Sequence, residues 1–187
     1  MITSSNNAKV KQVVQWQTKA KERRKDHVFL AEGVRMCEEA PVKSVREVYL
    51  TEELEQKLRR NAQNGDTAFW DKLQQTGYET VSPEVFAKMA DTQTPQGILT
   101  VLEQPSYDLT QLLEQPEPLF LILENLQDPG NLGTMIRTGE GAGITGVIMN
   151  QQTVDIFNPK TIRATMGSIF PISFMSSVSR SRKYSSP

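Results

Sequence analysis

The sequence has one cysteine and one histidine in 187 residues, and that scarcity removes several chemistries at once. Cys37 has no partner for an intrachain disulfide, and together with His27 it cannot make a Cys/His zinc cluster. Cys37 reads as a small core residue rather than a nucleophile, His27 reads as a surface residue, and no motif supports a serine or cysteine hydrolase. No glycine-rich stretch is followed by Gly-Lys-Ser/Thr, which excludes a P-loop. The run "GAGITG", residues 141 to 146, has the GxGxxG spacing of a dinucleotide fingerprint. That motif must leave a strand and open a helix, whereas here it ends a helix and enters a strand, so it reads as a helix C-terminus followed by a tight turn. There is also no apolar run of membrane length, and "MITSSNNAKVKQVV" lacks the apolar centre of a signal peptide. No membrane segment and a cytoplasmic location are therefore expected.

Hydrophobic residues make up 37% of the chain, enough for a real core in one domain or two small ones. Net charge is only −1, yet the charges are unevenly placed. Residues 1 to 26 carry Lys9, Lys11, Lys19, Lys21, Arg23, Arg24 and Lys25 against Glu22 and Asp26, and nothing acidic follows Asp155. The cluster Lys21, Arg23, Arg24 and Lys25 can be a solvated helix end or a phosphate-contacting surface.

Val10, Val13 and Val14 have helical spacing, which predicts a helix over residues 6 to 24. "FLAEGVRMCEEA" predicts a short strand and a helix, "VREVYL" and "YETV" two more strands, Ser82-Pro83-Glu84 a helix start, and "TPQGILTVLE" a turn and a closing strand. Residues 1 to 103 thus form a small α/β unit. Residues 104 to 118, with three prolines, read as a linker with about one helical turn. Residues 119 to 170 then give strand "LFLILE", helix "NLGTMIRTGEGAG" and strand "GVIMN", a βαβ unit and hence a parallel sheet with functional loops at the strands' C-terminal ends.

Those loops hold the residues of interest. In "ENLQDPGNLGTMIRT" the expected cap is Asn131, at a helix start whose free N–H groups and dipole favour an anion. Leu132, Met135 and Ile136 are expected to be buried, and Gly133 to let a ligand approach the backbone beside Arg137, with a structural salt bridge as the competing role for Arg137. In "DIFNPKTIRATMGS" Asn158 is the expected cap and Pro159 the first helical residue. Lys160 and Arg163 share a face, and Ile162, Met166 and Ile169 cover the other. Two successive cationic helix starts suit an anionic polymer.

"NLQDPGNLGTMIRTGEGAG" followed by "NPKTIRATMGSIF" resembles motifs one and two of the SpoU/TrmH family of RNA ribose 2′-O-methyltransferases, in the SPOUT superfamily. Asn131, Gly133 and Arg137 match motif one, and Pro159, Lys160, Arg163 and Gly167 match motif two. Upstream, "FLAEGVR" and "TPQGILTVLE" resemble the L30e-like substrate-binding domain often fused to that catalytic domain. The resemblance implies methyl transfer from S-adenosylmethionine to a ribose 2′-hydroxyl of ribosomal or transfer RNA, without metal, by a homodimer whose chain forms a trefoil knot. It implies a catalytic role for Arg137 with Asn131 holding the loop, cofactor contact at Gly167, and RNA contact by Lys21, Arg23, Arg24, Lys25, Lys160 and Arg163.

After "GSIF" the sequence departs from the family pattern. Residues 171 to 187 lack the glycine-rich and Ser-Leu-Asn segments of a third motif and contain seven serines, a composition that predicts a disordered tail. A SPOUT domain left incomplete by truncation, through a frameshift after Phe170, is the corresponding expectation. Two functions stay open: an RNA methyltransferase impaired by the truncation, or an RNA-binding protein without turnover.

Overall fold

A computed structural model of the chain describes residues 1–176. The helix expected over residues 6 to 24 is two helices, Ala8–Thr18 (α1) and Ala20–Asp26 (α2), because Lys19 between them is extended. Asn7 caps α1 by accepting the Lys9 N–H at 2.9 Å, and Val10, Val13 and Trp16 are buried. Helix α2 stops at His27, exposed and in the left-handed region with φ of 53°.

The chain continues through Val28–Glu32 (β1), Val34–Glu39 (α3), Val45–Thr51 (β2), Glu52–Gln63 (α4), Ala68–Thr76 (α5), Glu79–Val81 (β3), Pro83–Met89 (α6) and Ile98–Glu103 (β4). The sheet order is β1-β4-β2-β3, antiparallel except for the β2/β3 pair. Strand β1 is buried throughout, which fits a sheet covered on both faces. Alternate residues serve different cores: Val28 and Leu30 pack with α1 and α6, while Phe29 and Ala31 face the other way. Cys37 lies with Leu50, Leu54 and Leu73 beneath α4 and α5; burial pushes its thiol up to about 12, in keeping with a core residue.

The linker contains Leu109–Leu113 (α7), capped by Asp108. Then follow Phe120–Leu123 (β5), Pro129–Gly141 (α8), Gly146–Met149 (β6), Pro159–Thr165 (α9) and Ser173–Ser176 (β7). Strands β5, β6 and β7 form a parallel sheet in that order. Strand β7 corrects the expectation of a disordered tail from residue 171. Ile172 and Phe174 are buried, Phe174 meets the Tyr107 ring edge-on, and the Tyr107 hydroxyl donates to the Ile172 carbonyl at 3.0 Å. The serine at 173 stands on a strand face that tolerates it, so composition concealed a real strand. The rest of that expected tail, residues 177 to 187, lies outside the described residues.

Two other sequence expectations change. Leu132 and Ile136 are fully buried, but Met135 is exposed; Ile162 and Ile169 are buried, but Met166 is exposed because α9 has already ended there, with Met166 at φ 53°. Nor are the two units independent. Phe29, Ala31, Met36, Ala40 and Leu102 of the first share one core with Leu123, Leu132, Ile136, Val147 and Ile162 of the second. The sheet's opposite face leaves Ile122 73% exposed.

Candidate functional site

Helix α8 begins one residue after Asp128, whose Oδ1 accepts the Asn131 N–H at 2.6 Å. The cap is therefore Asp128 and not Asn131. Asp-Pro is the same signal as Asn158-Pro159 at the start of α9, where Asn158 does cap by accepting the Lys160 N–H at 2.9 Å. Asn131 stands exposed in the first turn of α8, and Lys160 in that of α9. Both helix starts lie at the C-terminal edge of the parallel sheet, where Asn125 and Asn150 join the two loops through paired hydrogen bonds of 3.1 and 2.9 Å.

Gly133 does not open the backbone to a ligand. It is buried against α9, and a Cβ there would lie 2.4 Å from the Ala164 Cβ and 2.9 Å from the Thr161 carbonyl oxygen. Its missing side chain lets the helices touch, which carries Met166, Gly167 and Ser168, just past α9, to the side of Arg137 one turn further along α8. The Ser168 hydroxyl donates to the Glu140 carboxylate at 3.2 Å and ties the end of α8 to that turn.

Arg137 and Gly167 consequently border one cleft of about 550 Å³ between the two units, together with Glu140, Ser168, Phe170 and, from the first unit, Arg35 and Glu39. Arg137 is exposed and enters none of the ion pairs among the described residues. Gly167 has φ of 102°, a backbone conformation that favours glycine, and the flexible Glu39 carboxylate lies over the place a Cβ would take. Asn131 is not part of the cleft. It sits six residues before Arg137, about 9 Å along the helix axis.

The expected RNA-contacting cations divide. Lys21, Arg24 and Lys25 are exposed on α2. Arg23 is not: it is 3% exposed, its Nη2 pairs with Asp155 at 2.6 Å, and its Nη1 donates to the Trp16 carbonyl at 2.8 Å. On α2 its side chain turns inward to these partners, where it joins the two units. Arg163 is partly committed as well, paired with Asp91 across the seam. Arg35, Glu39 and Glu140 did not stand out in the sequence as site residues. The only signal was the position of Arg35 within the "AEGVR" stretch of the substrate-binding resemblance.

A cleft of this size is in the range that holds a molecule such as S-adenosylmethionine. The Gly167 backbone, the Ser168 hydroxyl and the apolar Met166 and Phe170 fit one wall of such a pocket, with the Glu39 carboxylate facing them.

Comparison with known proteins agrees with this layout. Residues 7–100 match the MRM3-like substrate binding domain, and residues 118–184 match the SpoU rRNA Methylase family. The chain is 36% identical over 174 residues to 23S rRNA (guanosine(2553)-2'-O)-methyltransferase RlmP of Bacillus subtilis, covering 91% of this chain and 62% of that protein. It is 41% identical over 105 residues to the human mitochondrial rRNA methyltransferase 3, covering 54% of this chain and 25% of that one. The AdoMet-bound rRNA methyltransferase from Sinorhizobium meliloti superposes with a TM-score of 0.75 at 28% identity, over 94% of this chain and 63% of that one. The chain thus spans less than two thirds of each of these relatives. It carries an MRM3-like substrate binding domain over residues 7–100, followed over residues 118–184 by a domain of the SpoU rRNA Methylase family.

Proposed function

We propose that the chain methylates a ribose 2′-hydroxyl of ribosomal RNA with S-adenosylmethionine as donor, and that the seam between the two units is where the ribose is held. The observation that carries this reading is Arg137: exposed, without a carboxylate partner among the described residues, and beside Gly167 in a cleft that both units line. A structural arginine would be paired. The similar proteins, each an rRNA methyltransferase, support the same substrate class.

S-adenosylmethionine supplies an activated methyl on a sulfonium, so the protein's task is in-line alignment of the hydroxyl with that methyl, and alignment provides much of the rate. Arg137 holds the ribose and its phosphate by charge-assisted hydrogen bonds. The Arg137 guanidinium offers N–H donors and no acceptor lone pair, so it orients the hydroxyl and favours proton loss by its charge rather than by taking the proton. Gly167 and Ser168 line the cofactor side, while Asn131 and Lys160 at the sheet edge and Lys21, Arg24 and Lys25 on α2 contact RNA. The reading includes a cytoplasmic site of action and a homodimer, to which Ile122 on the open sheet face offers apolar surface.

The test is methyl transfer from radiolabelled S-adenosylmethionine to ribosomal RNA. Arg137→Ala is expected to lower the rate by at least about 100-fold, the usual effect of losing one preorganised charge-stabilising donor. Because the side chain is exposed, the melting temperature should barely move. Near-normal methylation by this variant would sink the assignment. RNA binding by a wild type with neither methyl transfer nor cofactor binding would favour the role without turnover.

A further inference from the structure

Helix α3 brings a second guanidinium to the Arg137 cleft. The Arg35 side chain is 69% exposed and borders not only that cleft but also a cavity of about 290 Å³ lined by Gly33, Thr92, Thr94, Gln96 and Arg163. Arg35 and Met166 line both hollows. The two hollows therefore adjoin along the seam, with Arg137 beside one, Arg163 beside the other and Arg35 bordering both.

Both supports of these hollows are fixed. The loop after α6 is anchored by the buried Glu32, whose carboxylate accepts the Asp91 N–H at 2.8 Å and the Thr92 hydroxyl, and Gln96 Oε1 accepts the Val34 N–H at 2.8 Å. Helix α3 is held from the other side by Lys72, which donates to the Cys37 and Glu38 carbonyls at 2.7 Å each. Arg35 thus projects from a braced platform, and its only ion-pair partner among the described residues is Glu39, one turn on at 2.8 Å. An exposed pair at that spacing is weak, whereas a phosphate offers the guanidinium a bidentate contact. Glu39 is also the carboxylate that lies over Gly167, so one internal anion covers both Arg35 and the turn beside Arg137.

We propose that the two hollows form one groove, the track of a single RNA strand. Arg35 grips the backbone phosphate next to the ribose at Arg137, the strand continues past Thr92 and Gln96 to Arg163, and Glu39 is the internal anion that the phosphate displaces. The proposal rests on the reading of RNA as substrate and adds to it the path and a positioning residue on the substrate-binding unit. A single strand suits the groove because its unstacked nucleotides can enter a narrow seam that a duplex cannot.

The experiment measures binding of the 187-residue chain to a fluorescent single-stranded RNA of mixed sequence, about 20 nucleotides long, between 50 and 200 mM salt. Arg35→Ala should weaken binding about tenfold at low salt, whatever the RNA sequence, and reduce the slope of log K against log salt by about 0.7, the loss of one phosphate contact. Arg35→Lys should restore the slope but not the full affinity, because an ammonium keeps the charge and loses the bidentate geometry. Glu39→Gln should tighten binding by removing the competing anion. Wild-type slope and affinity in Arg35→Ala, or weaker binding in Glu39→Gln with unchanged circular dichroism, overturns the track while leaving RNA as substrate. Absence of RNA binding by the wild type overturns both.

Discussion

At Gly133 the two helices of the parallel-sheet unit come so close that hydrogen is the only side chain with room. Gly133→Ala would place a methyl within 2.8 Å of the Ala164 backbone carbon and 2.9 Å of the Thr161 carbonyl oxygen, and backbone cannot move aside as a flexible side chain can. The expected cost is about 1–3 kcal/mol, the usual range for overpacking, which lowers the melting temperature by several degrees at this chain length. An unchanged or raised melting temperature for Gly133→Ala would contradict the packing. The same residue marks how far a sequence can be read at this scale. A glycine four residues before an arginine is equally consistent with ligand approach and with helix contact, since the partner that decides, Ala164, is 31 positions away. Arg23 is the second case. Nothing in "KERRKD" distinguishes it from Arg24, yet one is buried in the seam and the other faces solvent.

Among the elements, both βα junctions were legible because each carries a short signal with a local mechanism: a side-chain cap followed by proline at the first helical position. At α9 the signal Asn158-Pro159 marks the cap; at α8 the same signal is Asp128-Pro129, and Asn131, the expected cap, lies three residues past Asp128. Asp128→Ala should therefore destabilise the chain by about 1 kcal/mol, by leaving the Asn131 N–H without its acceptor, and Asn131→Ala should cost much less. Urea midpoints of the two variants check this, and equal losses would return the capping role to Asn131. Strand β7 was not legible for a physical reason. Four residues are too few for a period of two to stand out, and its stability comes from pairing with β6 and from the Tyr107 contact, neither of which is local.

For the whole molecule the informative feature is that the seam is part of the folding unit. The shared core is reinforced by the Phe29–Phe157 ring pair at 5.0 Å and by two ion pairs, Arg23–Asp155 and Arg163–Asp91. In the first pair the guanidinium is buried and Asp155 partly buried. Removing one partner strands the other in a low-dielectric site, at about 3 kcal/mol. Removing both leaves no uncompensated charge. Arg23→Ala and Asp155→Ala should each destabilise by roughly that amount, while the double variant should lose clearly less than their sum. A sequence that places these residues 132 positions apart gives no hint of the coupling. Chemical denaturation of the wild type should show one cooperative transition by both tryptophan fluorescence and circular dichroism, because a continuous core cannot melt in halves. Two separated transitions, or additive losses in the double variant, would mean that the units fold independently. The groove between them would then have no fixed width, and an arginine on one unit could not hold a fixed position relative to an arginine on the other.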